Sequence, residues 1–276
     1  MRHLSASLTA PRRALAALSR QRRRKVAPFL LLLVCLGVTG GAYTAFAPSP
    51  QAEAASGASV ESIKDGRALF LRNCSSCHGL NSEGSSDAPS LIGVGAAAVD
   101  FQVSTGRMPA AADGAQVEAK RPEFTHAEVA ALAAYIASLG PGPAIPDKDQ
   151  LDYTNVDAAQ GGAIYRTNCS MCHNFAGSGG ALTHGKYAAS LRGVSAKDMY
   201  EAMLTGPQSM PVFGDGTMRP RDKLEIIAYL KTIEAQSSPG GAALGKLGPV
   251  TEGAVGWIVG IGALIGAAVW LGAKAR

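Results

Sequence analysis

GRALFLRNCSSCH, from Gly66 to His78, and GGAIYRTNCSMCH, from Gly161 to His173, are two copies of one pattern offset by 95 residues. Each copy has a glycine eight residues, and an aromatic ring four residues, before its first cysteine: Gly66 and Phe70, then Gly161 and Tyr165. A glycine there lets two helices approach closely, and the ring one turn later fills their crossing. The likeness continues downstream. Ser104-Thr105-Gly106-Arg107-Met108-Pro109 recurs loosely as Leu204 to Pro211 (LTGPQSMP), and Tyr135-Ile136 recurs as Tyr229-Leu230. Two small domains of one kind are expected, and both read as helical. Thr125-His126-Ala127-Glu128 is a capping box ahead of Val129, Leu132, Ala133, Ile136 and Leu139 on one face, with Gly140-Pro141 as the stop. Ile226, Ile227, Leu230 and Ile233 make the equivalent stripe in the second copy.

Cys74-Ser75-Ser76-Cys77-His78 and Cys169-Ser170-Met171-Cys172-His173 have the C-x-x-C-H spacing of c-type haem attachment. Cysteines three apart on a helix face one side, so both thiols reach the vinyl groups of one porphyrin while the adjacent imidazole meets the iron. Two such motifs predict two covalently bound haem c groups, on Cys74, Cys77 and His78 and on Cys169, Cys172 and His173. A zinc site built from the two pairs is disfavoured, because 91 residues separate them against ~15–20 in zinc ribbons. Thioredoxin-like chemistry needs a βαβ context, whereas the repeat is patterned as helix.

The sixth iron ligand must come from elsewhere in each repeat, and a methionine thioether is the partner that raises the potential of an electron-transfer haem. Met108 follows His78 by 30 residues and Met210 follows His173 by 37, each ahead of a proline that favours extended chain. The expected metal ligands are therefore His78, Met108, His173 and Met210. Met199 and Met203 suit a buried helix face, where methionine is filler. Met218, ahead of Arg219-Pro220, is the rival to Met210, and His184 in a glycine-rich loop is the alternative imidazole. No separate catalytic residue is expected.

The 276-residue chain is 47% hydrophobic and 17% charged, material for one or two folded domains, and its 33 glycines and 15 prolines follow no period. Its net charge of +5 misleads until it is mapped. Residues 1–25 carry eight Lys or Arg and no acid, and Lys274 and Arg276 add two more. Without those ten, 16 basic residues face 21 acidic ones, so the positive charge sits at the ends and no nucleic-acid partner is expected.

Between Lys25 and Glu53 lie 27 uncharged residues, and Gly253 to Ala273 gives 21 more with Trp257 and Trp270 near its ends. About 20 apolar residues cross a bilayer, and the flanking basic clusters place both chain ends in the cytoplasm. Two helices in the cell membrane are expected, with residues from about 50 to 252 on the extracytoplasmic side, where disulfides are permitted. A cleaved signal peptide is the alternative for the first, since Ala45-Phe46-Ala47 has the A-x-A form.

Glycine, aromatic, C-x-x-C-H, a distal Met-Pro and a final helix together resemble the class I cytochromes c, twice over. The whole arrangement is similar to the family of dihaem cytochrome c subunits of actinobacterial menaquinol–cytochrome c reductases, the cytochrome bcc complexes. The resemblance implies an all-α chain: a basic segment 1–25, a transmembrane helix 26–50, cytochrome c domains 60–140 and 157–236, linkers 141–156 and 237–252, and a transmembrane helix 253–273. It also implies an oxidoreductase subunit that takes electrons from a Rieske iron–sulfur subunit beside cytochrome b and hands them to a terminal oxidase or a cytochrome c. In this family a proline carbonyl accepts a hydrogen bond from the ligand histidine. Pro89 fits that place in Ala88-Pro89-Ser90-Leu91, whereas Ala188-Ala189-Ser190-Leu191 has alanine, whose carbonyl must serve instead. A dihaem oxidase subunit is the first alternative, but it commonly has its anchor only before the haems. A dihaem peroxidase is the second, and it needs an open iron position.

Overall fold

The computed structural model describes residues 27–46, 58–112, 114–236, 244 and 249–274. The basic segment 1–25, the ends of the stretch 26–50 including Ala47, most of the linker 237–252 and Arg276 lie outside the described residues. Ala27–Phe46 forms helix α1, 20 residues long, within a compact unit of its own. At 1.5 Å per residue it measures about 30 Å.

The second unit, Gln51–Arg276, holds both repeats. The first is α2 (Val60–Asn73), the single turn α3 (Ser75–His78), α4 (Ala96–Ser104) and α5 (His126–Ala137). The second is α6 (Ala158–Asn168), the single turn α7 (Ser170–His173), the two-residue strands β1 (Gly180–Ala181) and β2 (Tyr187–Ala188), α8 (Ala196–Thr205) and α9 (Pro220–Ala235). Among the described residues the architecture is all-α, apart from that one small antiparallel hairpin. Helix starts follow local chemistry. Ser59, Asp157 and Ser195 accept from backbone N–H groups of the first turns of α2, α6 and α8, and Pro220 opens α9. The capping box at α5 is present: Thr125 N donates to Glu128 Oε2 at 2.8 Å and Glu128 N to Thr125 Oγ1 at 3.3 Å. The Thr125 N–H, and the Thr125 hydroxyl donating to the same Oε2 at 2.8 Å, hold the Glu128 carboxyl below its ordinary range.

In each repeat the first helix crosses the last. A methyl group on Gly66 would collide with the Ala131 carbonyl of α5, and one on Gly161 with the Glu225 carbonyl of α9. The paired rings follow one turn on: Phe70 lies against Tyr135 at 5.4 Å between centroids and Tyr165 against Tyr229 at 5.5 Å. Around them Leu69, Val103, Val129, Leu132 and Ile136 close the first core, and Met199, Tyr200, Met203, Ile226, Ile227 and Leu230 the second.

The repeats dock on each other through α4 against α8, with Ala97 N donating to Pro143 O in the connector that leaves the first domain. Helix α10 (Pro249–Lys274) follows, with an apolar stretch Thr251–Lys274 whose side chains are exposed along its length. Its 24 residues reach about 36 Å, enough for a ~30 Å hydrocarbon core, and it fits a membrane anchor.

Because the clash at Gly66 and Gly161 is with backbone, neither neighbour can rotate away. Gly161→Ala and Gly66→Ala are each expected to lower stability by about 1–3 kcal/mol, read as a fall in the midpoint of thermal unfolding. Gly216→Ala, where a methyl meets nothing within 4 Å, is expected to leave the midpoint within error.

Candidate functional site

Each cysteine motif sits where a helix breaks. Cys74 closes α2, its N–H donating to Phe70 O at 2.8 Å, then leaves helical geometry at φ −128° and starts the single turn to His78. Cys169 does the same after Tyr165, at φ −121°. His78 N donates to Cys74 O at 3.0 Å and His173 N to Cys169 O at 2.9 Å, so one turn binds both cysteines and the histidine into one unit. The continuous helix that the spacing suggests is thus two helices with the first cysteine as hinge.

The histidines are oriented from behind. His78 Nδ1 lies 2.8 Å from Pro89 O, and His173 Nδ1 lies 2.9 Å from Ala189 O. A ring that donates from Nδ1 to a carbonyl presents the Nε2 lone pair, the form a metal-ligating imidazole takes. Alanine therefore serves as well as proline, because the bond uses only the main chain. Burial pushes the His173 imidazole toward its neutral form, against the pull of the Ala189 carbonyl. Burial and the neighbouring cysteine push the Cys74 and Cys169 thiols up to about 11, the opposite of the lowered value a redox-active thiolate needs.

Backbone closures behind the histidines repeat: Gly84 N to His78 O and Gly179 N to His173 O, then Leu91 N to Ser82 O and Leu191 N to Gly177 O. Beyond them the copies diverge. Five extra residues in the second copy form the β1–β2 hairpin and carry Tyr187; His184 stands in its turn at φ 58° and does not line the cleft described below. Two more precede Met210 and carry Gln208. Both insertions reach the first domain. Gln208 clasps Val117 through Val117 N to Oε1 at 3.0 Å and Nε2 to Val117 O at 2.8 Å, and Tyr187 N donates to Gln116 Oε1 at 2.8 Å.

Under this roof lies a cleft of about 410 Å³, within the ~300–1,000 Å³ of cofactor sites. Cys169, Cys172 and His173 line it together with Met210, Met199, Met203, Leu191 and Phe213. Met218 does not. It is packed into the second core, its carbonyl accepting from the fully buried Lys223 Nζ at 2.7 Å. In the first domain His78 is buried, and Cys74 and Met108 both pack against the first core. The residues fit haem: thiols, an oriented imidazole and a thioether share one apolar cleft. Among the described residues no group of three or more His, Cys, Asp or Glu is placed to hold a metal ion, so the cysteine pairs do not converge as a zinc site.

The sequence reading missed the interface residues. Asp100 on α4 meets α8, where Lys197 Nζ lies 2.5 Å from Asp100 Oδ2 and the Glu201 carboxyl is fully buried beside the pair. Burial of Lys197 works against its charge, but the hydrogen bond to Asp100 and the charge of Glu201 outweigh it and leave the ammonium raised. A shift of register from 95 to 100 residues between the copies, visible in the sequence, was the available signal for the docking insertions.

Fold and site together define a cytochrome c with two domains of one kind. The family described as "Cytochrome c" matches residues 63–140, and that described as "Cytochrome C oxidase, cbb3-type, subunit III" matches 156–230. Over most of the chain, similarity is to proteins named "Cytochrome bc1 complex cytochrome c subunit". That of Mycobacterium leprae is 46% identical across 89% of this chain and 87% of its own length. Those of Mycobacterium bovis and Corynebacterium efficiens are 44% and 42% identical, covering 92% of this chain and 93% and 91% of their own lengths. The chain belongs to the family of cytochrome bc1 complex cytochrome c subunits. It is an electron-transfer cytochrome c, and the oxidase-subunit and peroxidase readings give way to this one.

Glu201 makes the interface sensitive to pH. Burial, then Asp100, raises its carboxyl to about 9, with Lys197 opposing and Asp198 adding to the rise. The folded chain therefore keeps a proton that the unfolded chain, with an ordinary carboxyl near 4.5, loses. Stability conferred by this group is full below about pH 4.5 and falls as pH climbs toward 9. Glu201→Gln is expected to flatten that fall and raise the unfolding midpoint at pH 8 relative to pH 5. An unchanged slope between pH 5 and 8 would remove Glu201 as its cause.

Proposed function

We propose that this chain carries two covalently attached haem c groups and relays electrons within a quinol–cytochrome c reductase. Cys74 and Cys77 hold the first haem, with His78 and Met108 as iron ligands, in a domain spanning 60–140. Cys169 and Cys172 hold the second, with His173 and Met210, in a domain spanning 157–236, and segments 141–156 and 237–252 are the linkers. The observation that carries this reading is the convergence of Cys169, Cys172, His173 and Met210 on one cleft, with Met218 committed to the core.

Haem, when bound, supplies the one-electron exchange between ferric and ferrous iron. The chain's residues do the rest. Pro89 and Ala189 hold the histidines with Nε2 free. Met108 and Met210 offer soft thioethers that favour ferrous iron, and the apolar walls keep water from it. With His78 and Met108 to hold one iron and His173 and Met210 the other, the chain would have no catalytic site of its own. It receives electrons from a Rieske subunit beside cytochrome b and passes them to a terminal oxidase or a cytochrome c. Anchors at 26–50 and 253–273 hold both ends in the cytoplasm and the haem domains outside, so that donor and acceptor meet them in one compartment.

Haem per chain and ligand identity test this together. The unaltered chain is expected to hold two haems, and Cys74→Ser with Cys77→Ser to hold one. Met210→Ala is expected to abolish the methionine–iron absorption of one haem, while Met218→Ala retains it and only lowers stability. The reverse pattern would move the ligand to Met218, and undiminished haem in the double serine variant would sink the attachment site.

A further inference from the structure

The second cleft has a wall that does not belong to its own domain. Phe101, Thr105, Arg107, Gln116 and Ala119 of the first domain line it. Among all the described lining residues, Arg107 is the one Lys or Arg, so the second domain supplies no fixed cation to its own cleft. Arg107 is half-buried. Its Nη1 donates to Thr105 Oγ1 at 2.7 Å and its guanidinium carbon lies 4.8 Å from the centre of the Phe101 ring. Among the described residues no carboxylate stands within ion-pair distance of it, although Asp198, which lines the same cleft, favours its charge from farther off. Both ends of the Gln208 amide, and the oxygen of the Gln116 amide, are already committed to main-chain partners across the interface.

Haem c bears two propionate carboxylates, which need cationic or hydrogen-bonding partners when the porphyrin edge is enclosed. A guanidinium keeps its charge under all relevant conditions and presents paired N–H donors that match a carboxylate. We propose that Arg107 of the first domain binds the propionates of the haem in the second. The inference rests on reading that cleft as a haem site, and it makes the second site complete only when the two domains are docked. The position is set from α4: the N–H groups of Arg107 and Met108 both donate to Gln102 O at 2.9 Å. Consecutive residues thus offer the first iron its thioether and the second haem its counter-charge, joining the two redox centres through one peptide unit.

The test is a redox titration of the full chain in its complex, with haem per chain counted first. Met210→His marks the second haem, since imidazole for thioether lowers its potential and separates its wave from the other. In that background Arg107→Gln is expected to keep two haems per chain and shift the marked wave so that ferric iron is favoured about tenfold, or ~59 mV for one electron. Arg107→Lys, which keeps the charge and loses the fork, is expected to hold the potential close to the unaltered value while moving a propionate mode in the resonance Raman spectrum. The lysine variant decides the matter if the glutamine variant does not assemble. A larger shift in the unmarked wave, or propionate modes unmoved in both variants, would overturn the assignment of Arg107. One haem in the unaltered chain, or no wave displaced by Met210→His, would instead overturn the reading of the cleft on which it rests.

Discussion

The close crossing of the first and last helices of each domain positions everything else. Gly66 lies on the Ala131 carbonyl and Gly161 on the Glu225 carbonyl, with no room for a side-chain atom between. That contact brings Phe70 against Tyr135 and Tyr165 against Tyr229, and it fixes where α2 and α6 end. The cysteine–histidine turn hangs from those ends. Its orientation is thereby a consequence of helix packing, and the histidine needs only one carbonyl behind it to be locked.

Two copies of one domain have been made into a pair by small insertions in the second. Seven extra residues, five in the hairpin and two before Met210, place Tyr187 and Gln208 against the segment Gln116-Val117 of the first domain. Bonds between an amide side chain and main-chain groups depend little on the partner's identity, which suits a contact that must hold a register between domains. The proline-rich connector is tied to the first domain, its Pro143 carbonyl taking a hydrogen bond from Ala97.

The interface also contains groups that a protein interior ordinarily avoids. Glu201 is fully buried beside Asp100, with Lys197 the nearby cation. Burial, and then the neighbouring Asp100, push the Glu201 carboxyl well above its ordinary range. The same boundary carries Arg107 into the second cleft. Charge at this seam is therefore arranged between domains, with Asp100 and Arg107 from the first meeting Lys197, Asp198 and Glu201 from the second.

The sequence by itself determined the repeat, the helices and the attachment motifs, because those depend on near neighbours: a turn of helix spans C-x-x-C-H, a capping box spans four residues, and an apolar run of 21 is its own evidence for an anchor. It also left Met218 standing as rival to Met210, since spacing says nothing of which methionine faces a cavity. Packing separated them, Met218 into the core above Lys223 and Met210 onto the cleft. Ala189 shows the complementary case: its side chain is uninformative, and only the fold reveals that its carbonyl meets His173. What tertiary structure alone decided is the seam between the domains, where Asp100 meets Lys197 and Gln208 meets Val117 across about 90 to 100 residues of chain. Such contacts carry no local pattern, because the partners become neighbours only after each domain has folded around its own glycine crossing.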